Sequence, residues 1–443
     1  MKERSVCAVI LASALAGCGA EEGRPPRVGV LHFPTAAAAS SDGRFLYVAN
    51  SNFNLEFSGA LVQTFDLEAI RARANERRVD PTRPAEERDE SRFVVRDGAG
   101  AFSRGSAVRV GTYVTALKLA PDGRRMYVAS RATSCISWID VGSDGMLECG
   151  QSTAGGACDE SNPGVTQRCV GASRTGRRSL LLPPNPTSLD IFERDATRYI
   201  TVTHHEDTRS RVSLLVQQGN EAPVVAHFAG DFAPRLWTQL RLPTVEPRWL
   251  VFSRDEPTMG QVRLFEDGPS SFVFRAPTTV PSTIPGTVGV VHVAMDPCDP
   301  RRAYAAARAR RTGASNAGDS ILAIDVSNPD EPVIVDQLAM PLGPTRIVPV
   351  RRGPTCEDGV DLYTVLYDAR KLEVVDARAW REVAQVRTQV GPVELIPDPR
   401  LGQPGHDLLY VVNFSSMCIE VVDARTRQVL FTIGDPVRPR ELS

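Results

Sequence analysis

The feature that most constrains this chain is that it repeats. Ser41-Asp42-Gly43-Arg44-Phe45-Leu46-Tyr47-Val48-Ala49-Asn50 leads to a second apolar run, Leu61 to Asp66. The same pairing recurs as Pro121-Asp122-Gly123-Arg124-Arg125-Met126-Tyr127-Val128-Ala129-Ser130 with Ile136 to Asp140. Weaker copies contain Tyr304, Tyr363 and Tyr410 and lead to Ile324-Asp325, Val375-Asp376 and Val422-Asp423. In each unit a Pro/Asp/Gly turn reverses the chain, and runs of aromatic and β-branched residues follow. Such runs, separated by turn chemistry, read as consecutive antiparallel strands. The spacing from Tyr363 to Tyr410 falls within the roughly 40–50 residues of a propeller blade.

The last unit gives four strands: Val393 to Ile396, Leu408 to Asn413, Cys418 to Asp423 and Gln428 to Ile433. The divergent middle threads by the same pattern in three further units, starting at Thr187, Leu236 and Val290. The count predicts an all-β chain: a seven-bladed β-propeller of four-stranded antiparallel blades, with six and eight blades as the alternatives. Val28 to His32 resembles a fourth strand placed ahead of the first unit and competes with Gln428 to Ile433 for one slot. A final blade that borrows the N-terminal strand would remove exposed edges, and this closure is the expectation. Two insertions interrupt neighbouring units after their third strands. Residues 68–104 begin helically and become highly charged; residues 142–178 are Gly/Ser-rich and carry Cys149, Cys158 and Cys169. Both are expected on one face of the ring, side by side.

The Pro-Asp-Gly-Arg-x-x-Tyr-Val-Ala pattern, with a following strand ending in Ile-Asp or Val-Asp, resembles the YVTN-type β-propeller repeat, a group that includes lactonase-like and surface-layer propellers. Asn50 and Asn413 hold the place of that family's Asn after the Tyr strand; Ser130 and Ala307 depart from it. The resemblance implies a propeller and a class of binding surface. Fold analogy alone implies no reaction.

The N-terminus reads as an export signal. Met1-Lys2-Glu3-Arg4 precedes the apolar run Val6 to Ala16, and Leu15-Ala16-Gly17-Cys18 resembles the lipobox of bacterial lipoproteins, in which the cysteine is acylated. The expected organisation is a signal peptide at 1–17, a lipidated tether at 18–27 and one propeller domain at 28–443, held in the cell envelope, at the outer membrane, by lipid on Cys18. A formal charge of −2 spread over 443 residues gives no nucleic-acid footprint. Export permits disulfides. Cys298 and Cys356 lie in equivalent turns of consecutive repeats and form the best candidate bridge. Cys135, Cys149, Cys158 and Cys169 cluster in one repeat as further candidates, with Cys418 at the position equivalent to Cys135. Their irregular spacing does not suit zinc.

Propeller ligands meet the mouth of the central channel. One residue past the Asn50 position, the blades offer Ser51, Arg131, His204, Arg254, Arg308, Tyr367 and Phe414, with His205, Glu206, Asp368 and Arg370 in the same loops. Guanidinium groups bind planar anions through paired hydrogen bonds. A ring-mouth site built on Arg131, His204, His205, Glu206, Arg254, Arg308, Tyr367, Asp368, Arg370 and Asn413 would suit a carboxylate, phosphate or acidic glycan. His204-His205-Glu206-Asp207 is the compact group of potential metal ligands, but adjacent strand residues face opposite ways. No cofactor or metal is expected. Nucleophile motifs of the Gly-x-Ser-x-Gly or His-Glu-x-x-His kind are absent. The functional expectation is therefore a non-enzymatic binding or scaffold module for a protein or a cell-surface polymer. The alternative is a lactonase-like hydrolase using His204, Glu206 and the arginines.

Overall fold

A computed structural model describes residues 26–78, 96–148, 164–165, 169–170, 182–206, 210–232, 235–256, 258–266, 268, 271–279, 289–308, 318–403 and 406–436. The strands form seven sheets taken in chain order, each starting at the centre and stepping outward. Blade 1 is Pro34–Ala39, Phe45–Asn50, Ala60–Asp66 and Ser103–Val110; blade 7 is Pro392–Pro397, Leu408–Asn413, Cys418–Asp423 and Gln428–Ile433. The inner strands of blades 2 to 6 are Val114–Leu119, Pro186–Arg194, Leu236–Leu242, Gly289–Met295 and Pro344–Arg351. Each inner strand packs on the next around the ring, and that of blade 7 packs on that of blade 1. In blade 2 the outer position is held by two short pieces, Leu147–Glu148 and Cys169–Val170, both paired to Cys135–Val141.

The repeated residues are scaffold. Tyr47, Tyr127, Tyr304, Tyr363 and Tyr410 are all essentially enclosed between blades. The hydroxyl of Tyr304 donates to Asp296 and that of Tyr410 to Asp398, each at 2.7 Å. The strand-ending aspartates cap turns: Oδ1 of Asp376 accepts the N–H groups of Arg378 and Ala379, and Oδ1 of Asp423 those of Arg425 and Thr426. Cys298 and Cys356 form the expected disulfide between the turns of blades 5 and 6. Cys135 is also disulfide-bonded, and the Cys418 thiol is buried. Cys149 and Cys158 lie outside the described residues, as do Cys18 and residues 1–25; of Cys169 only the strand position is described.

Ring closure differs from the expectation. Residues 28–32 form no strand, and Gln428–Ile433 completes blade 7 itself because the capped Asp423–Arg427 turn folds it directly onto Cys418–Asp423. Leu31 instead fills the wedge between blades 7 and 1. The first insertion clasps that seam. Its helix, Leu67–Arg78, starts where Oδ1 of Asp66 accepts the N–H groups of Glu68 and Ala69, so a strand-ending aspartate doubles as the N-cap. Leu67, Ile70, Arg71 and Ala74 are buried at helical spacing against the seam. Arg71 crosses to blade 7 and donates two hydrogen bonds to Asp398, at 2.7 and 3.0 Å, while Arg78 pairs with Asp423 at 2.5 Å. Arg96–Asp97 then adds a short parallel strand to the outer edge of blade 7. Residues 79–95 lie outside the described residues. The start of the second insertion sits beside the first blade: Gly145 O accepts from Thr64 Oγ1, and Ser143 O accepts from Arg44.

Candidate binding site at the channel mouth

The loops joining second to third strands and the linkers between blades meet on one face of the ring. One hydrogen bond repeats there. The backbone N–H groups of Ser51, Arg131, His205, Arg254, Tyr367 and Phe414 donate to the carbonyls of Phe33, Tyr113, Asn185, Arg235, Gly343 and Gly391, the residues just ahead of each inner strand. In blade 5, Arg308 pairs with Gly289 at the same level. The register thus corrects the alignment in blade 3. His205, not His204, is the counterpart of Ser51; His204 faces Pro186 as Asn50 faces Pro34.

His204 lies behind the mouth, fully enclosed, with Nδ1 at 3.0 Å from the carbonyl of Pro184 and Nε2 at 2.9 Å from Ser213 Oγ. Asn413 is enclosed too and donates to Glu420 at 3.0 Å. Both hold the scaffold at positions where side chains turn away from the channel. Glu206 stays in its loop near Arg211, 3.7 Å away, and burial raises its pKa. Asp368 and Arg370 are exposed on the rim of blade 6, and the Tyr367 hydroxyl reaches Ser415 Oγ at 3.0 Å. Asp207 lies outside the described residues. Among the described residues, no three His, Cys, Asp or Glu side chains gather as a metal site would need.

Arg131, His205, Arg254 and Arg308 form an arc over blades 2 to 5. Arg254 lies 4.5 Å over the ring of Trp237, and His205 meets the same ring edge-on at 5.6 Å. Arg308 Nε donates to Pro344 O at 2.9 Å, and Arg131 Nε to Asn185 Oδ1 at 3.4 Å. These bonds aim the guanidinium groups without neutralising them. Burial, then the charge of Arg308, pulls the Arg254 pKa below the usual arginine value; Asp255 opposes this, and Arg131 and Arg235 add smaller pulls in the same downward sense. Burial, then Arg131 and Arg254, lower that of His205. Gly289 makes the crowding possible: a Cβ there would lie 1.6 Å from the carbonyl oxygen of Arg254, so only glycine lets the blade 4 loop cross this strand.

The other half of the mouth is aromatic. Phe53 meets Tyr113 at 5.1 Å and Phe414 at 5.3 Å, and Phe33 meets Phe414 at 5.1 Å. Neither Trp237, Phe33 nor Phe53 was picked out from sequence: Trp237 lies within an inner strand, Phe33 just ahead of one, and Phe53 in a loop with no motif. Below the mouth, a cavity of about 700 Å³ runs from Trp237, Arg254 and Arg308 down between the inner strands.

Together these features define a seven-bladed propeller with a basic channel mouth. Among solved structures, the chain is similar to a proposed 6-phosphogluconolactonase from Bacteroides uniformis (15% identity, TM-score 0.53, covering 81% of this chain and 86% of that one). It is also similar to one from Bacteroides fragilis (13%, 0.51, 81% and 85%) and to hydrazine synthase of Kuenenia stuttgartiensis (13%, 0.53, 91% and 99%). At these identities the likeness shows the fold alone. No family model and no curated protein matches the chain, so the YVTN resemblance rests on the repeats themselves.

Proposed function

We propose that this chain is a binding propeller whose channel mouth holds an anionic group of its ligand, a protein or cell-surface polymer, and that lipid on Cys18 keeps it in the cell envelope. The observation that carries the reading is the convergence of Arg131 and Arg308 on Arg254, itself stacked over Trp237, close enough that their charges act on it. Holding like charges together in a half-buried site costs free energy that a bound carboxylate or phosphate would recover. Binding is favoured over hydrolysis because His204, the acid/base candidate of the lactonase reading, is enclosed away from the mouth.

The test uses a carboxylated oligosaccharide, with inorganic phosphate as the small probe. Arg254→Gln and Arg308→Gln should each weaken binding by about tenfold, the worth of one charge-assisted hydrogen bond, with a strong salt dependence. Binding that ignores both substitutions would remove the reading. So would turnover of a sugar lactone by the wild type that disappears in Arg254→Gln.

A further inference from the structure

The cavity beneath the mouth carries charge at a second depth. Five cations line it, Lys118, Arg241, Arg254, Arg308 and Arg346, against two carboxylates, Asp190 and Glu394. Both carboxylates are engaged. Glu394 pairs with Arg346 at 2.7 Å; Asp190 accepts from Trp249 Nε1 at 2.8 Å and lies 3.6 Å from Arg241. The Lys118 ammonium makes no hydrogen bond or ion pair with any described residue, and its side chain is exposed and lines the lumen. It comes from blade 2 and lines the same cavity as His292 of blade 5 and Arg346 of blade 6. Arg346 Nε is itself enclosed with no hydrogen-bond partner.

The two depths are set by register. Val114 pairs with Ser130 at the level of the mouth, and Lys118 pairs with Tyr127 four residues further down the same inner strand. A bulge at Thr115 absorbs one residue, so the step matches three residues of the partner strand, about 10 Å. Between the two levels the lumen walls carry Thr35, Thr115, Thr187, Thr238 and Val291, together with the Arg346–Glu394 pair, whose charges offset one another. A single acidic group cannot satisfy both levels. A linear molecule with an acid at each end can.

We propose that the mouth and the lumen form one two-point site for an elongated organic dianion: one acidic group on Arg254 and Arg308, the other on Lys118. The inference rests on the mouth reading and adds a deep subsite to it. Lys118 supplies the second charge as a compact ammonium inside a walled channel, where a charge-assisted contact is screened less than at the surface.

The experiment is calorimetric titration of the full-length mature protein with succinate, adipate, suberate and sebacate, with octanoate as the single-acid control of matching length. The longer dicarboxylates should bind about tenfold or more tightly than octanoate and than succinate. Lys118→Met and Lys118→Gln should abolish that preference, and Lys118→Arg should keep it; thermal melts confirm that each variant is folded. Arg254→Gln should weaken octanoate and dicarboxylates alike. Equal affinity for suberate and octanoate, or a preference that survives in Lys118→Met, overturns the deep subsite and leaves the mouth reading standing. A Lys118-dependent preference with no response to Arg254→Gln overturns the mouth reading and leaves the deep subsite. No measurable binding of any of these anions overturns both.

Discussion

His204 stays neutral because burial disfavours its charged form, holding its pKa at about 3, well under the ordinary 6.5. The sign of the consequence follows. Above 6.5 the imidazole is neutral folded and unfolded, and no penalty arises; below it the unfolded chain takes up a proton that the fold refuses, so stability falls with pH until the folded value is reached. His292 is depressed in the same sense, chiefly by burial and then by Arg346 and Lys118. Urea unfolding should therefore lose about 2 kcal/mol for His204 alone between pH 6.5 and about 5, and His204→Gln should flatten that slope. Gly289→Ala tests the crossing strand: the added methyl should cost about 1–3 kcal/mol in the same assay and weaken anion binding, because it pushes the Arg254 loop off its seat. The sequence offered the mouth arginines through one loop position. It misplaced blade 3 by a residue because it ended that blade's second strand before His204, whereas the strand runs through it. Lys118, His292 and Arg346 went unseen because they occupy alternate positions of inner strands, where only the closed ring tells lumen from wedge.

At the level of elements, the helix Leu67–Arg78 and the disulfide are the two added fasteners. Arg71 and Asp398 are almost wholly enclosed, with 6% and 0% of their side chains exposed, so removing one partner strands the other charge. Arg71→Ala should cost about 3–5 kcal/mol in chemical unfolding, and Arg71→Met with Asp398→Leu should recover much of it. The Cys298–Cys356 bridge closes a loop over a sequence separation of 58, and replacing both cysteines by serine should lower stability by about 2–4 kcal/mol with the mouth site intact. The bridge was legible because its two turns recur at equivalent places. The helix was half legible, as an amphipathic start to a charged insertion. Its role was not, since Asp398 lies 327 residues away and nothing local marks it as a socket.

For the whole molecule, the repeat alone foretold seven radial sheets, because each copy carries its own turns. Closure was misjudged where two apolar runs competed for one slot and a five-residue capped turn decided between them. The chain enters the ring on the mouth side: Pro26 and Arg27 lie against Asn52, Phe57 and Gly59, in the loop that also carries Phe53 and Leu55, exposed by 47% and 59%. If Cys18 bears the lipid, the intervening residues reach at most about 28 Å, and the mouth face looks toward the bilayer. An environment-sensitive dye at Leu55→Cys should then be quenched by lipid-borne quenchers, while one at Val245→Cys, in a fully exposed turn on the far face, should not.

The seam also sets an order of events. The clasping helix is synthesised among the first eighty residues, whereas Asp398, Tyr410 and Asp423 belong to the last blade to leave the ribosome. Until that blade arrives, Leu67, Ile70 and Ala74 have only the blade 1 side of the seam to pack on. Nascent or truncated chains thus carry a latch without its strike plate, an adhesive stripe for chaperones and proteases to find, and the complete chain alone can hide it.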